Sequence, residues 1–408
     1  MHSIRSAFLL LLGILLIFAV STAVYLGRGQ PPIEQGTNVS SASSESAIEG
    51  STEQALVVPD VFVNQSPTNR TLTVPEGYTV SVFAAGLGKA RFFDVADDGT
   101  VYLTDLNGRV LAIRDDNDDN VADTIATVDS NLRSPHGIDW FGDDLYIGEE
   151  DQVVVYRSVK PDGSFDRKDV LVSGLPAGEG HFTRTVQIGP DGKLYVSVGS
   201  SCNLCEETDP RRAAIVRYNP DGTGEEVFAT GLRNSVGFVF SAGKIWATEN
   251  GRDRIGDNIP PEEINIVEQG KHYGWPYCHG DSDTGPEFPD RSEFCRTEIQ
   301  KPQYKFQAHS APLGLTFVPS GTTFPNAMRN ALFVALHGSW NRTDPTGYKV
   351  ITFDTSDQNP DAKDFIFGWL LADGSSWGRP VGVGFSKNGS LLISDDKAGV
   401  LYNVRFPK

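Results

Sequence analysis

Four segments between Gly178 and Pro276 carry residue types that do chemistry: GHFTRTVQIGPDG from Gly180, GLRNSVGF from Gly231, ENGRDRIGDN from Glu249, and EEIN followed by HYGWP from Glu262. His181 follows a Gly-Glu-Gly turn and precedes an apolar run. A neutral imidazole there suits general-base work near neutral pH; the plainer reading is a histidine that only ties down a loop. Arg233 and Asn234 stand just before VGFVF, a guanidinium fork for a carboxylate beside an amide for a carbonyl. Their plainer reading is an ion pair of Arg233 with Glu249. Arg379 holds the equivalent place before the last apolar pair, and Arg184, Arg252 and Arg342 are further cations in such loops. His136, His309 and His337 occupy comparable positions, His309 reading as an ordinary loop histidine. Several arginines in equivalent loops of an acidic chain point to a small anionic ligand.

The elements that must position these residues repeat. Six segments read as β-hairpins: Phe93–Asp105, Gly137–Glu150, Val186–Ser200, Gly237–Asn250, Gly314–Ser339 and Val381–Asp396. Each has two apolar alternating runs around a connection rich in Asp, Asn or Gly. The first four start 44, 49 and 51 residues apart, and the later gaps are 77 and 67. That is the period of a propeller blade, with insertions in the later ones. Runs such as RVLAIRD, VVVYRS, AIVRYNP, YKVITFD and VLYNVRF supply outer strands. The expected fold is all-β, a six-bladed β-propeller, with an array of β-sandwiches as the alternative. A propeller gathers the loops SPHG, EGHF, LRNS, SAPLG and WGRPVG around one mouth, so residues remote in sequence meet there.

Composition bounds the function. The net charge of −18 argues against a nucleic-acid partner, whose phosphates would be repelled. A hydrophobic share of 39% with 10% aromatics is enough for a core, and Gly 42 and Pro 24 suit many turns. His2 and Arg5 precede an uncharged apolar run, Ala7 to Leu26, long enough to span a bilayer, with Ser21 and Ala23 spaced as in a cleavage site. Residues 1–28 are therefore expected to be a signal peptide or signal anchor in front of a periplasmic or extracellular protein, held to the membrane if uncleaved. Residues 29–67 read as a disordered linker, leaving 68–408 for the propeller. Export and an even cysteine count favour the disulfides Cys202–Cys205 and Cys278–Cys295 over a zinc site. Asp115, Asn117, Asp119 and Asp123 match the opening of a calcium loop that lacks its twelfth-position Glu and central Gly, with a solvated acidic turn as the equal alternative.

The motifs together resemble the pyrroloquinoline quinone (PQQ)-dependent soluble glucose dehydrogenase and L-sorbosone dehydrogenase family, over roughly Thr73 to Lys408. The resemblance rests on His181 separated by seven residues from GPDGKLY, on GLRN at Gly231, on the E-x-G turn at Glu249, and on EEIN followed by HYGWP. HGSWNR at His337 and GRPVGV at Gly378 are more similar to the sorbosone or pyranose branch. Membership implies PQQ and Ca²⁺ as cofactors, a sugar or sugar aldehyde as substrate, and a quinone or cytochrome as electron acceptor. It implies that His181 is the general base, that Arg233 stabilises charge on the reduced quinone, and that Asn234 orients the cofactor. Gly251 and Arg252 would lend backbone carbonyls to the catalytic calcium, Arg252 standing where glucose enzymes have Pro. Arg379 would meet a cofactor carboxylate, with Arg184, Arg342 and His337 as further contacts, His337 falling where those enzymes place Lys. Glu263, Tyr273, Asp281 and Asp283 fall near a second, structural calcium site. One departure is sharp: the glucose enzymes place Asp before the catalytic His, and this chain has Gly180, with Glu179 one position back. Another acid must orient the imidazole, or the base is weaker. Two other function classes remain, a calcium-dependent propeller hydrolase of lactonase type and a non-catalytic propeller binding a partner or glycan. The mouth loops offer Arg and His rather than convergent acids, which disfavours the hydrolase.

Overall fold

The computed structural model describes residues 46–160, 163–322, 325–358 and 360–405. Residues 1–28, expected to form the signal or anchor, lie outside the described residues. Among the described residues no helix is long and apolar enough to cross a membrane.

Six sheets form the propeller, each built on four antiparallel strands, with a fifth, parallel strand at the outer edge of one of them. Blade 1 runs Ala90–Val95, Val101–Asp105, Arg109–Arg114 and Thr124–Asp129 from the axis outward; blade 2 runs Ile138–Phe141, Asp144–Gly148, Gln152–Val159 and Phe165–Ser173. Blade 3 is Val186–Ile188, Leu194–Val198, Ala214–Tyr218 and Glu226–Thr230. Blade 4 is Phe238–Ser241, Lys244–Glu249, Glu262–Val267 and Tyr304–Phe306. Blade 5 is Pro312–Phe317, Ala331–Leu336, Lys349–Asp354 and Lys363–Ile366. Blade 6 takes Pro380–Phe385, Leu391–Asp395 and Val400–Arg405 from the end of the chain, and Thr79–Ala85 from its beginning as the outermost strand, with Tyr402 opposite Val82. This strand closes the ring by covering the outer edge of Val400–Arg405.

The six expected hairpins are the two innermost strands of the six blades. The alternation read from sequence fails in the second strands. Every residue of Val101–Asp105, Leu194–Val198, Ala331–Leu336 and Leu391–Asp395 is buried. Each such strand is covered on both faces by the neighbouring blades, which favours a continuous apolar run. Hydroxyl groups link blades at this level. Thr104 Oγ1 donates to His136 O at 2.7 Å, Thr248 Oγ1 to Leu313 O at 2.9 Å and Ser394 Oγ to Arg91 O at 2.5 Å. Thr185 Oγ1 makes the same link to Val236 O.

A second device repeats at the mouth. In blades 1, 2, 4 and 6 the second strand leads into a buried acid: Asp105, Glu149, Glu249 and Asp395. Each accepts a backbone N–H from the loop entering its own blade, from Lys89, Arg133, Asn234 and Arg379 respectively. Blades 3 and 5 have Val198 and Leu336 at that place. Their entry loops, which precede the strands starting at Val186 and Pro312, must be held by other means.

The structured region starts earlier than residue 68. Ser46–Ala47 pairs in parallel with Lys363 and Asp364 of blade 5, Thr52–Ala55 pairs with Thr71–Val74, and Leu56 and Phe62 are buried against the propeller. The part of the expected linker from residue 46 is thus a packed strap, anchored by apolar residues that its polar composition hid. Both disulfides are formed as expected, and no cysteine is free. The acidic turn at Asp115–Asp123 spends its oxygens on backbone N–H groups: Asp115 accepts from Asp119 and Asn120, Asp119 from Val121, and Asp123 from Asp116.

Candidate active site

The entry loop of blade 3 carries His181, and its position is set by the segment that follows the second strand. His181 N–H donates to Ser200 O at 2.9 Å, and Ser200 N–H donates to Arg233 O at 2.7 Å, so the entry loops of blades 3 and 4 are joined through Ser200. Gly180 has φ +65°, and a Cβ there would come within 2.3 Å of Ser200 O and 2.4 Å of the Ser201 carbonyl carbon. No aspartate fits at this position, because the Ser200 segment fills the space. That segment takes over the orientation of the imidazole. His181 Nδ1 lies 3.1 Å from Ser200 O and 3.0 Å from Ser200 Oγ, whose own proton goes to Cys202 O at 2.6 Å. Ser200 O and the committed Oγ can only accept, so Nδ1 carries the proton and Nε2 keeps its lone pair. Nε2 has no hydrogen-bond partner among the described residues. Burial first, then the charges of Arg233, Arg184 and Arg212, together lower the His181 imidazole to about 3 against the Ser200 hydrogen bond. The ring is therefore neutral throughout the physiological range.

Asn234 stands beside it. A Cβ on Gly199 would meet His181 Cβ at 2.6 Å and Asn234 Oδ1 at 2.8 Å, so the absence of a side chain at Gly199 lets the two approach. The Asn234 side chain has no hydrogen-bond partner among the described residues, which leaves its amide for a ligand. Its backbone is pinned by Glu249, whose carboxyl also accepts Ser235 Oγ–H at 2.6 Å and is pushed up to about 7 by burial.

Arg233 is spoken for. Nε and one Nη2 proton go to Asn203 O (3.2 Å) and Oδ1 (2.9 Å), the other Nη2 proton to Asp253 Oδ2 (3.0 Å), and Nη1 to the carbonyls of Asn250 (3.1 Å) and Gly251 (2.8 Å). That exhausts the five N–H groups of a guanidinium. Arg233 pairs with Asp253 rather than Glu249, and it acts on the mouth as a buried charge, not as a free donor. The Gly251 carbonyl, expected at the calcium, already accepts from it. Arg252 directs its side chain away to Glu287, in a bidentate pair at 2.8 Å for both bonds. Gly251 N–H is held at 2.8 Å by buried Glu262, which burial pushes up to about 8.

Arg184 and Arg212 hold the blade 3 loop in place of the missing acid. Arg184 donates to His181 O at 2.9 Å, to Thr183 O at 2.7 Å and to Pro176 O; Arg212 donates to Gly199 O at 3.3 Å, Ala177 O at 3.2 Å and His181 O at 3.4 Å. Both are buried, and among the described residues neither has a carboxylate within ion-pair distance. Burial and then Arg212 lower Arg184 to about 10. The sequence reading placed Arg184 on a ligand; its contacts make it a clamp that adds positive potential.

The opposite side of the mouth is wired differently. Arg379 donates to His337 O at 2.9 Å and Gly338 O at 2.8 Å and lies 5.5 Å from the Tyr348 ring centroid. His337 Nε2 sits 2.9 Å from Asp396 Oδ1, and Asp396 Oδ2 takes Arg91 Nη1 at 2.7 Å. Arg91 Nε donates to His136 Nδ1 at 3.1 Å. Burial lowers His337 to about 4, against Asp396. Arg91 and Asp396 were missed by sequence reading; the only signal was that Asp396 ends the last hairpin beside Asp395. Ser200, Asn203 and Arg212 were missed as well, since they support the site from outside any motif.

Several expected residues do not join. Arg342 donates to Asp257 O, to Asp344 O (3.0 Å) and to Ala308 O (3.3 Å), stapling a loop. His309 ties the Gly256 and Ile259 carbonyls at 2.8 and 2.9 Å, the ordinary loop role expected of it. The second calcium set does not converge. Glu263 holds Gly280 N–H inside the fold, Tyr273 bonds Ile266 O and Glu268 N–H, Asp281 pairs with Lys305, and Asp283 is exposed. Among the described residues the only close group of metal-ligand types is Cys202, Cys205 and Glu207, and its cysteines are joined to each other.

The molecule is thus a six-bladed propeller whose mouth sets an oriented neutral histidine among buried arginines. Over residues 72–406 it matches the TrAA12-like family, a PQQ-dependent sugar dehydrogenase-like family, and belongs to it. An uncharacterized protein of Borreliella burgdorferi is 32% identical over 371 residues, 86% of this chain and 95% of that one. A pyrroloquinoline quinone-dependent pyranose dehydrogenase of Coprinopsis cinerea is 27% identical over 293 residues, 55% of this chain and 39% of that longer one. The holo PQQ domain of Coprinopsis cinerea pyranose dehydrogenase shares the fold, with a TM-score of 0.73 at 22% identity, covering 86% of this chain and 100% of the domain.

Proposed function

We propose that this protein oxidises a sugar or sugar aldehyde of sorbosone, aldose or pyranose type, with PQQ and Ca²⁺ as its cofactors and His181 as the general base. The observation that carries the reading is the fixed tautomer of His181, with its Nδ1 proton committed to acceptors and its Nε2 lone pair free. Nε2 would take the proton of the sugar hydroxyl, or of a hydrated aldehyde, as hydride leaves the same carbon. PQQ, when bound, supplies the hydride acceptor, and calcium polarises its carbonyl.

The residues present fit such an acid-bearing cofactor. Arg184, Arg212 and Arg379 donate to neutral carbonyls and make no direct ion pair among the described residues, so their positive charge would favour a cofactor bearing carboxylates. Asn234 would hold a cofactor oxygen through its free amide. Gly251 and Arg252 would offer carbonyls to calcium beside the Asp253 carboxylate, sharing the Gly251 oxygen with Arg233. Arg233 would stabilise negative charge on the reduced cofactor through the field of its guanidinium rather than a direct bond. Phe182 and Trp340, 41% and 65% exposed, offer apolar faces for a sugar ring, and Arg254 stacks over the latter at 5.7 Å. The hydrolase reading finds less support. The buried acids Glu149, Glu249, Glu262 and Asp395 are spent on backbone N–H groups. Electrons would pass to a quinone or cytochrome outside the cytoplasmic membrane, where the two disulfides are stable.

The test is dye reduction by the purified protein with Ca²⁺ and PQQ, against aldoses and sorbosone. Sugar-dependent reduction that needs both cofactors is the expected outcome. Absence of quinone binding together with absence of turnover would overturn the reading.

A further inference from the structure

The segment from Ser200 to Glu207 belongs to no strand, yet both His181 and Arg233 lean on it. Cys202 and Cys205 close a four-residue loop, CNLC. Asn203 within it is saturated by the site. Its Oδ1 accepts Arg233 Nη2 at 2.9 Å and Asp253 N–H at 2.8 Å; its carbonyl accepts Arg233 Nε and Trp275 Nε1, each at 3.2 Å; its Nδ2 donates to Asp253 O at 3.1 Å. One residue earlier, the Cys202 carbonyl takes the only proton of the Ser200 hydroxyl, which is what leaves that hydroxyl as an acceptor for His181 Nδ1. On the far side Glu207 accepts the Ser201 N–H and hydroxyl, both at 2.7 Å. A loop with no ladder hydrogen bonds of its own holds such geometry only if its chain is constrained, and a disulfide supplies that constraint.

We propose that the Cys202–Cys205 disulfide loop is the positioning element of this site: closed, it holds Arg233 and fixes the tautomer of His181, and its reduction releases both. The inference rests on the reading of His181 as the base. Both cysteines are half-buried and within reach of small thiols. Reduction breaks the S–S bond with two electrons and two protons from a dithiol, which leaves as its own cyclic disulfide, and two cysteine thiols remain. The charged groups around His181 are the guanidiniums of Arg233, Arg184 and Arg212; the carboxylates of the flanking segments are Glu179 and Glu207. Arg184 and Arg212 are anchored on the blade 3 side, so the group the loop governs is Arg233.

The test follows His181 by NMR in the full chain with ¹³C-labelled histidine, assigned with a His181→Ala variant, without PQQ or sugar. Withdrawing the Arg233 charge makes protonation easier. In the dithiothreitol-reduced protein and in a Cys202→Ala/Cys205→Ala variant the titration midpoint of His181 is expected to rise by about one pH unit. Reoxidation should return it, and Cys278→Ala/Cys295→Ala should leave it in place. Asn203→Ala, which keeps the disulfide and removes one Arg233 acceptor, should move it the same way by less. With PQQ, calcium and sugar, reduction is expected to lower kcat about tenfold with KM little changed. An unmoved midpoint in reduced protein with an intact circular dichroism spectrum, or an equal movement from Cys278→Ala/Cys295→Ala, would overturn the proposal. If the double variant fails to fold, an unmoved midpoint in Asn203→Ala overturns it. Because the titration needs no substrate, its outcome is independent of whether the protein turns over sugar.

Discussion

The two sides of the propeller mouth each present a histidine to the same opening, and they are built on opposite principles. On the blade 3 side, His181 is held by a carbonyl and a hydroxyl, its neighbours Arg184 and Arg212 have no carboxylate partner among the described residues, Arg233 pairs with Asp253, and Nε2 is without a partner among the described residues. On the blade 5 and 6 side, His337 gives its Nε2 to Asp396, which also pairs with Arg91, so those two charges are matched within the protein. A histidine between neutral acceptors and positive charge is kept unprotonated with a lone pair to use. A histidine tied to a carboxylate has no free nitrogen at the same edge. In blade 3, where Val198 stands in place of the acid, the entry loop is held instead by Arg184 and Arg212, which donate to its carbonyls.

The comparison can be broken by experiment. Its largest expected effect is on turnover. His181→Ala should lower kcat by about 10³-fold, within the range for losing a general base, while PQQ still binds; His337→Ala should cost about tenfold or less. Equal losses in steady-state assays of the two variants would erase the distinction. Next is the stability held by the saturated guanidinium. Arg233→Ala strands Asp253 and three carbonyl partners, and should cost about 3 kcal/mol or more in urea unfolding, as for a broken buried pair. A midpoint close to that of the unmodified protein would show that its contacts carry no weight.

The smallest effect sharpens the other side. Burial pushes Asp396 up, but the His337 hydrogen bond and the Arg91 and Arg379 charges outweigh it and hold the carboxyl at about 2, below its ordinary value near 4. A carboxyl lowered on folding contributes stability that is complete above about pH 4 and is lost as the pH falls toward 2. Asp396→Asn should therefore lower stability at pH 7 by about 2 kcal/mol and flatten the acid-side decline. Parallel stability–pH curves for the two proteins between pH 2 and 4 would refute the pairing.

Much of this was legible in the chain. The six hairpins, their period and the loops that reach the mouth follow from local turn chemistry and apolar runs, and both disulfide pairings from export and an even cysteine count paired locally, all of them short-range signals. Other readings failed for reasons of distance. Arg233, Arg184 and Arg342 look alike in sequence as cations in loops, yet their donors are taken by carbonyls that tertiary folding brings to them, from Asn203, Pro176 and Asp257. The second calcium set was close in sequence but splits between a buried strand and an exposed turn. The strap from residue 46 looked polar, although Leu56 and Phe62 were enough to dock it.

By itself, the sequence determined that this is a ringed β-structure with chemistry at its blade entries, because strand periodicity and turn residues act locally. It also posed the question of Gly180 without answering it. Only the tertiary structure decided which acceptor replaces the missing acid, which nitrogen of His181 stays free, and that Arg233 works as a field rather than a donor. Those outcomes depend on where the Ser200–Cys205 segment lies against two neighbouring blades, and hydrogen-bond partners across blades have no fixed separation along the chain.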